Sequence, residues 1–126
     1  MKPLIVPALL SVLTVAAPSV VLAQDLAAGK KVFRRCNACH TLEEGGTNKV
    51  GPNLWNIFGS TAGTRTNGFK YSKALKSSGI IWDDSTMSAY LENPRGTVPK
   101  TRMSFIGLKK ADQRDAVINY LRSATR

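Results

Sequence analysis

Both cysteines of the chain and its only histidine fall inside Cys36-Asn37-Ala38-Cys39-His40. The spacing C-x-x-C-H is the attachment pattern of a c-type haem. Two thiols two residues apart can add across the two vinyl groups of one porphyrin. The adjacent imidazole is then placed to bind the iron from one side. With no second histidine, the proximal ligand is His40 or nothing. A structural zinc site would need about four ligands, against two Cys and one His here. A thioredoxin-like pair would sit early in a βαβ pattern, and none is visible.

The opposite face of the iron needs a second ligand, and a bis-histidine haem cannot form. Beyond the N-terminal apolar stretch the methionines are Met87 and Met103. Met87 falls within an expected helix, where methionine is most often core filler. Met103 falls in the loop Val98-Pro99-Lys100-Thr101-Arg102-Met103-Ser104-Phe105. A loop can carry a ligand across the far face of the porphyrin, and Pro99 limits its freedom. Met103 is therefore the favoured ligand. A thioether favours ferrous iron, so His/Met ligation raises the reduction potential.

The elements that must position these residues read as helices and loops. Asp25 can cap a first helix running to about Arg35, with Leu26, Val32 and Phe33 as its apolar positions. Gly45-Gly46 and Gly51-Pro52 mark turns, and residues 55–70 read as loop. Short helices are expected over Tyr71–Ser77 and over Ser85–Glu92, the second capped by Ser85 and stopped before Pro94. Gly96–Gly107 reads as loop. Lys110–Ser123 is the clearest helix, with Val117, Ile118 and Leu121 as its stripe and Asp112, or a residue one turn earlier, as its cap. The expected class is all-α, with loops that the cofactor must order.

Ahead of these elements, Met1-Lys2 precedes an apolar run from Leu4 to Ala17, a break at Pro18-Ser19 and the ending Val21-Leu22-Ala23. This reads as a secretory signal over residues 1–23, cleaved after Ala23. A retained anchor of about 20 residues would just span a bilayer, but Pro3, Pro7 and Pro18 argue against it. The domain is then 24–126. Losing Lys2 leaves 17 of the 18 basic residues against 8 acidic ones, a formal charge of +9. Such a surface suits acidic proteins, anionic lipid or nucleic acid. Export argues against nucleic acid, and no aromatic–basic RNA-binding motif is present. So small a core is marginal by area alone, and a covalent haem would act as its apolar centre.

The chain resembles the class I c-type cytochromes, of the bacterial c2 and mitochondrial type. Besides the haem motif, the resemblance rests on Gly29-Lys30-Lys31-Val32-Phe33, Gly51-Pro52-Asn53-Leu54, Gly68-Phe69-Lys70-Tyr71 and Trp82. It continues through Tyr90-Leu91-Glu92-Asn93-Pro94, Lys100-Thr101-Arg102-Met103-Ser104-Phe105 and Val117-Ile118-Asn119-Tyr120-Leu121. Only two residues separate Phe33 from Cys36, as in c2-type proteins. The resemblance implies a small cytochrome c fold of four to five helices around one haem, with the first and last helices crossing. It implies that His40 donates its other ring N–H to the Pro52 carbonyl and that Met103 binds from the far side. Tyr90 would hydrogen-bond near the Met103 sulfur, and Tyr71 and Trp82 would donate to a haem propionate, with Thr101 in the same polar network. Gly29 and Phe33 would meet Val117 and Tyr120 at the helix crossing.

Two positions depart from the mitochondrial form. Ser60 stands where that form has an arginine near a propionate, and Leu75 where it has an asparagine close to the haem. Arg65 could replace the arginine only if the loop allows it. Arg35, Lys49, Arg95, Arg102, Lys109 and Lys110 match positions that ring the exposed haem edge in the family. A ring of this kind steers acidic redox partners, edge to edge. The resemblance implies a periplasmic, monomeric one-electron carrier and not an enzyme, working between a bc1-type donor and an oxidase or reaction centre. The alternative is a haem enzyme or gas-binding sensor with an open or displaceable sixth position, which for an enzyme would need a distal acid or base.

Overall fold

The computed structural model describes residues 19–126. Residues 1–18 of the expected signal, which hold its apolar run, lie outside the described residues. The remainder, Ser19–Ala23, opens helix α1, which spans Ser19–Phe33. Asp25 is thus inside the helix and not its cap, because Val20-Val21-Leu22-Ala23 carries nothing that would stop a helix. The other helices are α2 (Lys73–Lys76), α3 (Asp84–Glu92), α4 (Pro94–Thr97) and α5 (Ala111–Ala124). No strand forms among the described residues, and extended pairing is limited to one antiparallel bridge between Thr61 and Ile81. The class is all-α.

Local chemistry explains where the boundaries moved. Helix α2 keeps only one turn of the expected Tyr71–Ser77, begun by the Ser72 hydroxyl, which accepts from the Leu75 N–H at 3.1 Å. Helix α3 is capped by Asp83 and not by Ser85. Asp83 Oδ1 accepts from the Thr86 N–H (2.8 Å), and Thr86 Oγ1 accepts from the Asp83 N–H (2.9 Å). That reciprocal pair satisfies two backbone donors at once. Pro94 ends α3, since it has no N–H to offer. It also begins α4 as a first-turn proline, with Asn93 Oδ1 accepting from the Gly96 N–H (3.1 Å). The expected loop from Gly96 therefore starts inside a helical turn. Helix α5 has Lys110 at its cap position with no side-chain cap bond, and Asp112 lies in the first turn. There its charge favours the positive end of the helix dipole.

Helices α1 and α5 make the most extensive contact between elements. Gly29 is what lets them meet. A β-carbon at Gly29 would lie 2.1 Å from the Ala116 carbonyl oxygen and 2.5 Å from Tyr120 Cβ. One turn on, the Phe33 and Tyr120 rings sit 5.8 Å apart. Val117, Ile118 and Leu121 are buried against this seam. The end of α5 is tied down as well: the Asn56 N–H donates to the Thr125 carbonyl (2.7 Å). Arg122 pairs with Asp84 (2.6 Å) and lies over the Phe58 ring (4.2 Å).

The helix crossing and the α3 cap each give a prediction. Helix propensity alone favours Gly29→Ala by about 1 kcal/mol. Overpacking costs about 1–3 kcal/mol, so the substitution is expected to lower the melting temperature of the holoprotein. A rise would contradict the close approach. At Asp83, the Thr86 backbone N–H holds the carboxylate below its usual value. A lowered carboxylate stabilises the fold above the unfolded pKa of about 3.9. That stability is lost as pH falls through the lower folded value. Asp83→Asn should remove this part of the acid sensitivity, read as melting temperature against pH.

Candidate haem-binding site

The last turn of α1 does not simply fray. The Arg35 N–H reaches the Val32 carbonyl (3.1 Å) and the Cys36 N–H reaches Phe33 (2.7 Å), so the helix tightens to three-residue spacing. Next, the Cys39 and His40 N–H groups both converge on the Cys36 carbonyl, each at 3.0 Å. Residues three and four apart share a face of such a turn. The backbone therefore sets Cys36, Cys39 and His40 on one side. Both thiols are free and half-buried, and burial pushes the Cys36 thiol above its usual range.

His40 is fixed by its neighbour loop. Its Nδ1 stands 2.7 Å from the Pro52 carbonyl oxygen. A carbonyl only accepts, so Nδ1 carries the proton and Nε2 keeps a free lone pair. Burial lowers the His40 pKa, which keeps the ring neutral at neutral pH. Gly51 lies flat against the imidazole, where an added β-carbon would come within 2.4 Å of Cε1. The Gly51 N–H donates to the Cys39 carbonyl (2.9 Å), which locks this loop to the cysteine turn.

The Met103 loop is held from α3. The Tyr90 and Thr101 hydroxyls are 2.8 Å apart, and Thr101 Oγ1 also accepts weakly from the Met103 N–H (3.4 Å). Tyr90 is thereby linked to the backbone of the Met103 loop through Thr101. Trp82 packs on Tyr90 with ring centroids 5.2 Å apart, and both are buried. Met87 is only 7% exposed within the core, whereas Met103 is partly buried against its edge. Leu75 also packs on that core.

A polar network that the sequence did not announce closes the other side. Tyr71 accepts from Asn67 Nδ2 at 3.0 Å, so its own proton remains available. Arg65 is brought back by the loop, donating to the Asn53 carbonyl (2.6 Å) and to the Trp55 carbonyl. Asn48 joins two loops, accepting from the Asn53 N–H (2.8 Å) and donating to the Asn67 carbonyl (2.7 Å). Asn53 is buried and bonds to Thr41 Oγ1 and the Glu43 carbonyl, each at 2.9 Å. The Ser60 hydroxyl donates within its own turn, to the Ile57 carbonyl.

The donor set fits a covalent haem. Two free thiols share a turn with an imidazole whose outer nitrogen is locked, and Gly51 leaves that ring a cradle which any side chain would fill. The family described as Cytochrome c matches residues 26–125. The chain belongs to this family. It is 52% identical to a cytochrome c2 of Afifella marina, covering 78% of this chain and 81% of that protein. A cytochrome c of Chlamydomonas reinhardtii is 47% identical, over 82% of this chain and 92% of that one. Among solved structures, cytochrome cH from Methylobacterium extorquens superposes with a TM-score of 0.73 at 40% identity, over 79% and 98% of the two chains. Membership gives the chain one covalently bound haem c and makes it an electron carrier, not an enzyme. The expected small cytochrome c fold, with crossing terminal helices, is the one observed.

The six cations that match the family's haem-edge positions do not all stand free. Arg35 lies over the Phe105 ring (5.5 Å), and the Lys49 ammonium donates to the Asn37 carbonyl (2.8 Å), so these two flank the cysteine turn. Lys109 donates to the Glu92 carbonyl (2.7 Å) and Arg102 to the Lys70 carbonyl. Arg95 is in α4, and Lys110 precedes α5.

Thr101→Val should strand the buried Tyr90 hydroxyl and cost about 1–3 kcal/mol. Tyr90→Phe combined with Thr101→Val should cost less than the two single changes summed. Urea unfolding of the four ferric holoproteins checks this, and simple additivity would contradict the pairing.

Proposed function

We propose that the chain is an exported, soluble one-electron carrier whose iron is closed on both sides by His40 and Met103. When bound, haem c supplies a one-electron Fe(III)/Fe(II) couple. Cys36 and Cys39 hold it by thioether bonds. His40 presents Nε2 because Nδ1 is committed to Pro52, and this single observation carries the reading. A bond of this kind fixes the ring and raises its basicity as a ligand. Met103 supplies the second ligand from a loop anchored by Thr101 and Tyr90. Tyr71 and Trp82 donate to a propionate, a charge held partly out of water.

Partner choice follows from charge. Arg35, Lys49, Arg95, Arg102, Lys109 and Lys110 form the face that meets acidic redox proteins. Such encounters are fast and weak, as a carrier must leave after each transfer. The donor is of the quinol-oxidising bc1 type, and the acceptor is an oxidase or a photosynthetic reaction centre. The periplasmic setting rests on residues 1–23, read as a signal removed after Ala23. No helix among the described residues is long and apolar enough to cross a membrane.

Met103→Ala is expected to lower the reduction potential strongly, by on the order of 0.1 V or more of the ~0.8 V that axial ligands span. Met87→Leu should leave it nearly unchanged. The reverse pattern in protein voltammetry would move the ligand to Met87. Oxidation by an acidic partner should slow steadily as ionic strength rises. A flat response in stopped-flow kinetics would remove the steering role of the basic face.

A further inference from the structure

Of the seven asparagines in the chain, only Asn67 is followed by glycine. The nucleophile that attacks an asparagine side chain is the backbone nitrogen of the next residue. Glycine offers that nitrogen with no side chain in the way. Asparagine is for this reason among the chemically labile residues. The fold adds to the sequence. Gly68 is exposed and has φ +76°, a conformation that glycine adopts at no steric cost. A β-carbon built there would meet nothing nearer than Asn48 Nδ2, at 4.0 Å. Water and base therefore reach this peptide freely. Among the described residues the Gly68 N–H donates to no backbone carbonyl, so no such bond has to break before the nitrogen reacts.

The Asn67 side chain is folded toward that nitrogen. Its Oδ1 accepts from the Phe69 N–H (3.2 Å), two residues on, in the manner of an Asx turn. To reach Phe69 the side chain must lie along the Gly68 peptide, which brings Cγ toward the nitrogen. The same bond draws electrons from the amide carbonyl and makes Cγ a better target. Nδ2, on the group that would leave, donates to the Tyr71 hydroxyl (3.0 Å) and weakly to the Asn53 carbonyl (3.4 Å).

We infer that Asn67 is a self-modification site: in the folded holoprotein the Gly68 nitrogen displaces its side-chain amide, and the carboxylate that results lowers the reduction potential. In the first step the bond from the Gly68 nitrogen to Cγ forms and the Cγ–Nδ2 bond breaks. The Gly68 proton leaves with the amide as ammonia. Water then opens the cyclic imide at either carbonyl, which leaves aspartate or isoaspartate at position 67. No electron is transferred, and water is the only other reactant. A carboxylate only accepts, so the Tyr71 proton turns to it and away from a haem propionate. Two negative charges then share one donor, and the added charge favours ferric over ferrous iron. This consequence, though not the modification, rests on the proposed role of Tyr71 at a propionate.

The test ages ferric holoprotein in warm, mildly alkaline buffer and follows it by tryptic mass mapping and isoaspartate methyltransferase labelling. The mass gain of amide to acid is expected first in the peptide Thr66–Lys70, which contains no other asparagine. Asn67→Gln keeps an amide but must close a larger, less favoured ring, so that variant should not gain mass there. An unmodified Asn67, or a gain that begins at another asparagine, would overturn the site. In voltammetry, Asn67→Asp and Tyr71→Phe should each show a lower potential than the unaged wild type. A shift in Tyr71→Phe alone would overturn the link between the modification and the iron. No shift in either would remove the propionate role of Tyr71 together with that link, while the mass map would still decide the site.

Discussion

One turn of backbone governs this molecule. The Cys36 carbonyl takes two N–H groups, from Cys39 and His40, and so places two thiols and an imidazole on one side of the chain. Covalent attachment there makes the haem part of the polypeptide. At about 100 residues the domain is small, and a covalent haem adds an apolar centre to its core. The terminal helices frame this turn. Gly29 permits α1 to lie against α5, and α1 runs straight into the cysteines. Gly51 and Pro52 then hold the imidazole from the other direction.

The same packing explains why the chemistry stops at electron transfer. Reactions at iron need an open coordination position and a nearby proton donor or acceptor. His40 is the only histidine in the chain. The polar side chains around the Met103 loop, Tyr90 and Thr101, satisfy each other. Burial raises the Tyr90 pKa further, so the phenol stays neutral. An electron needs no such opening, only an exposed edge and a partner held beside it briefly. In the proposed reading, Arg35 and Lys49, on either side of the cysteine turn, would supply that positive margin.

Much of this was legible in the sequence because it is local. The haem motif is five contiguous residues, and α5 carries a helical stripe at Val117, Ile118 and Leu121. The α3 cap lies two residues before the expected one, since Ser85 and Asp83 both suit the role. The tie-breaker is Thr86, three residues after Asp83, which returns the bond. Helix α4 is a single turn begun by Pro94, too short for periodicity to reveal. The network of Asn48, Asn53, Arg65 and Asn67 joins residues up to 19 apart, and no local pattern encodes such a pairing. Arg65 shows the point well. Its donation to the Asn53 and Trp55 carbonyls depends on how the 55–70 loop closes, which glycine placement alone does not set. Lys100, left-handed at φ +65°, was invisible for the opposite reason, since composition would put glycine there.

The central claim is a closed iron with a sulfur ligand. The most direct test is the absorption spectrum of the ferric holoprotein in the far red and near infrared, followed by exposure of the reduced protein to carbon monoxide. A weak band of sulfur–ferric character, with no rapid carbon monoxide binding, is the predicted result. A wild-type protein without that band, whose ferrous form takes up carbon monoxide readily, would contradict it.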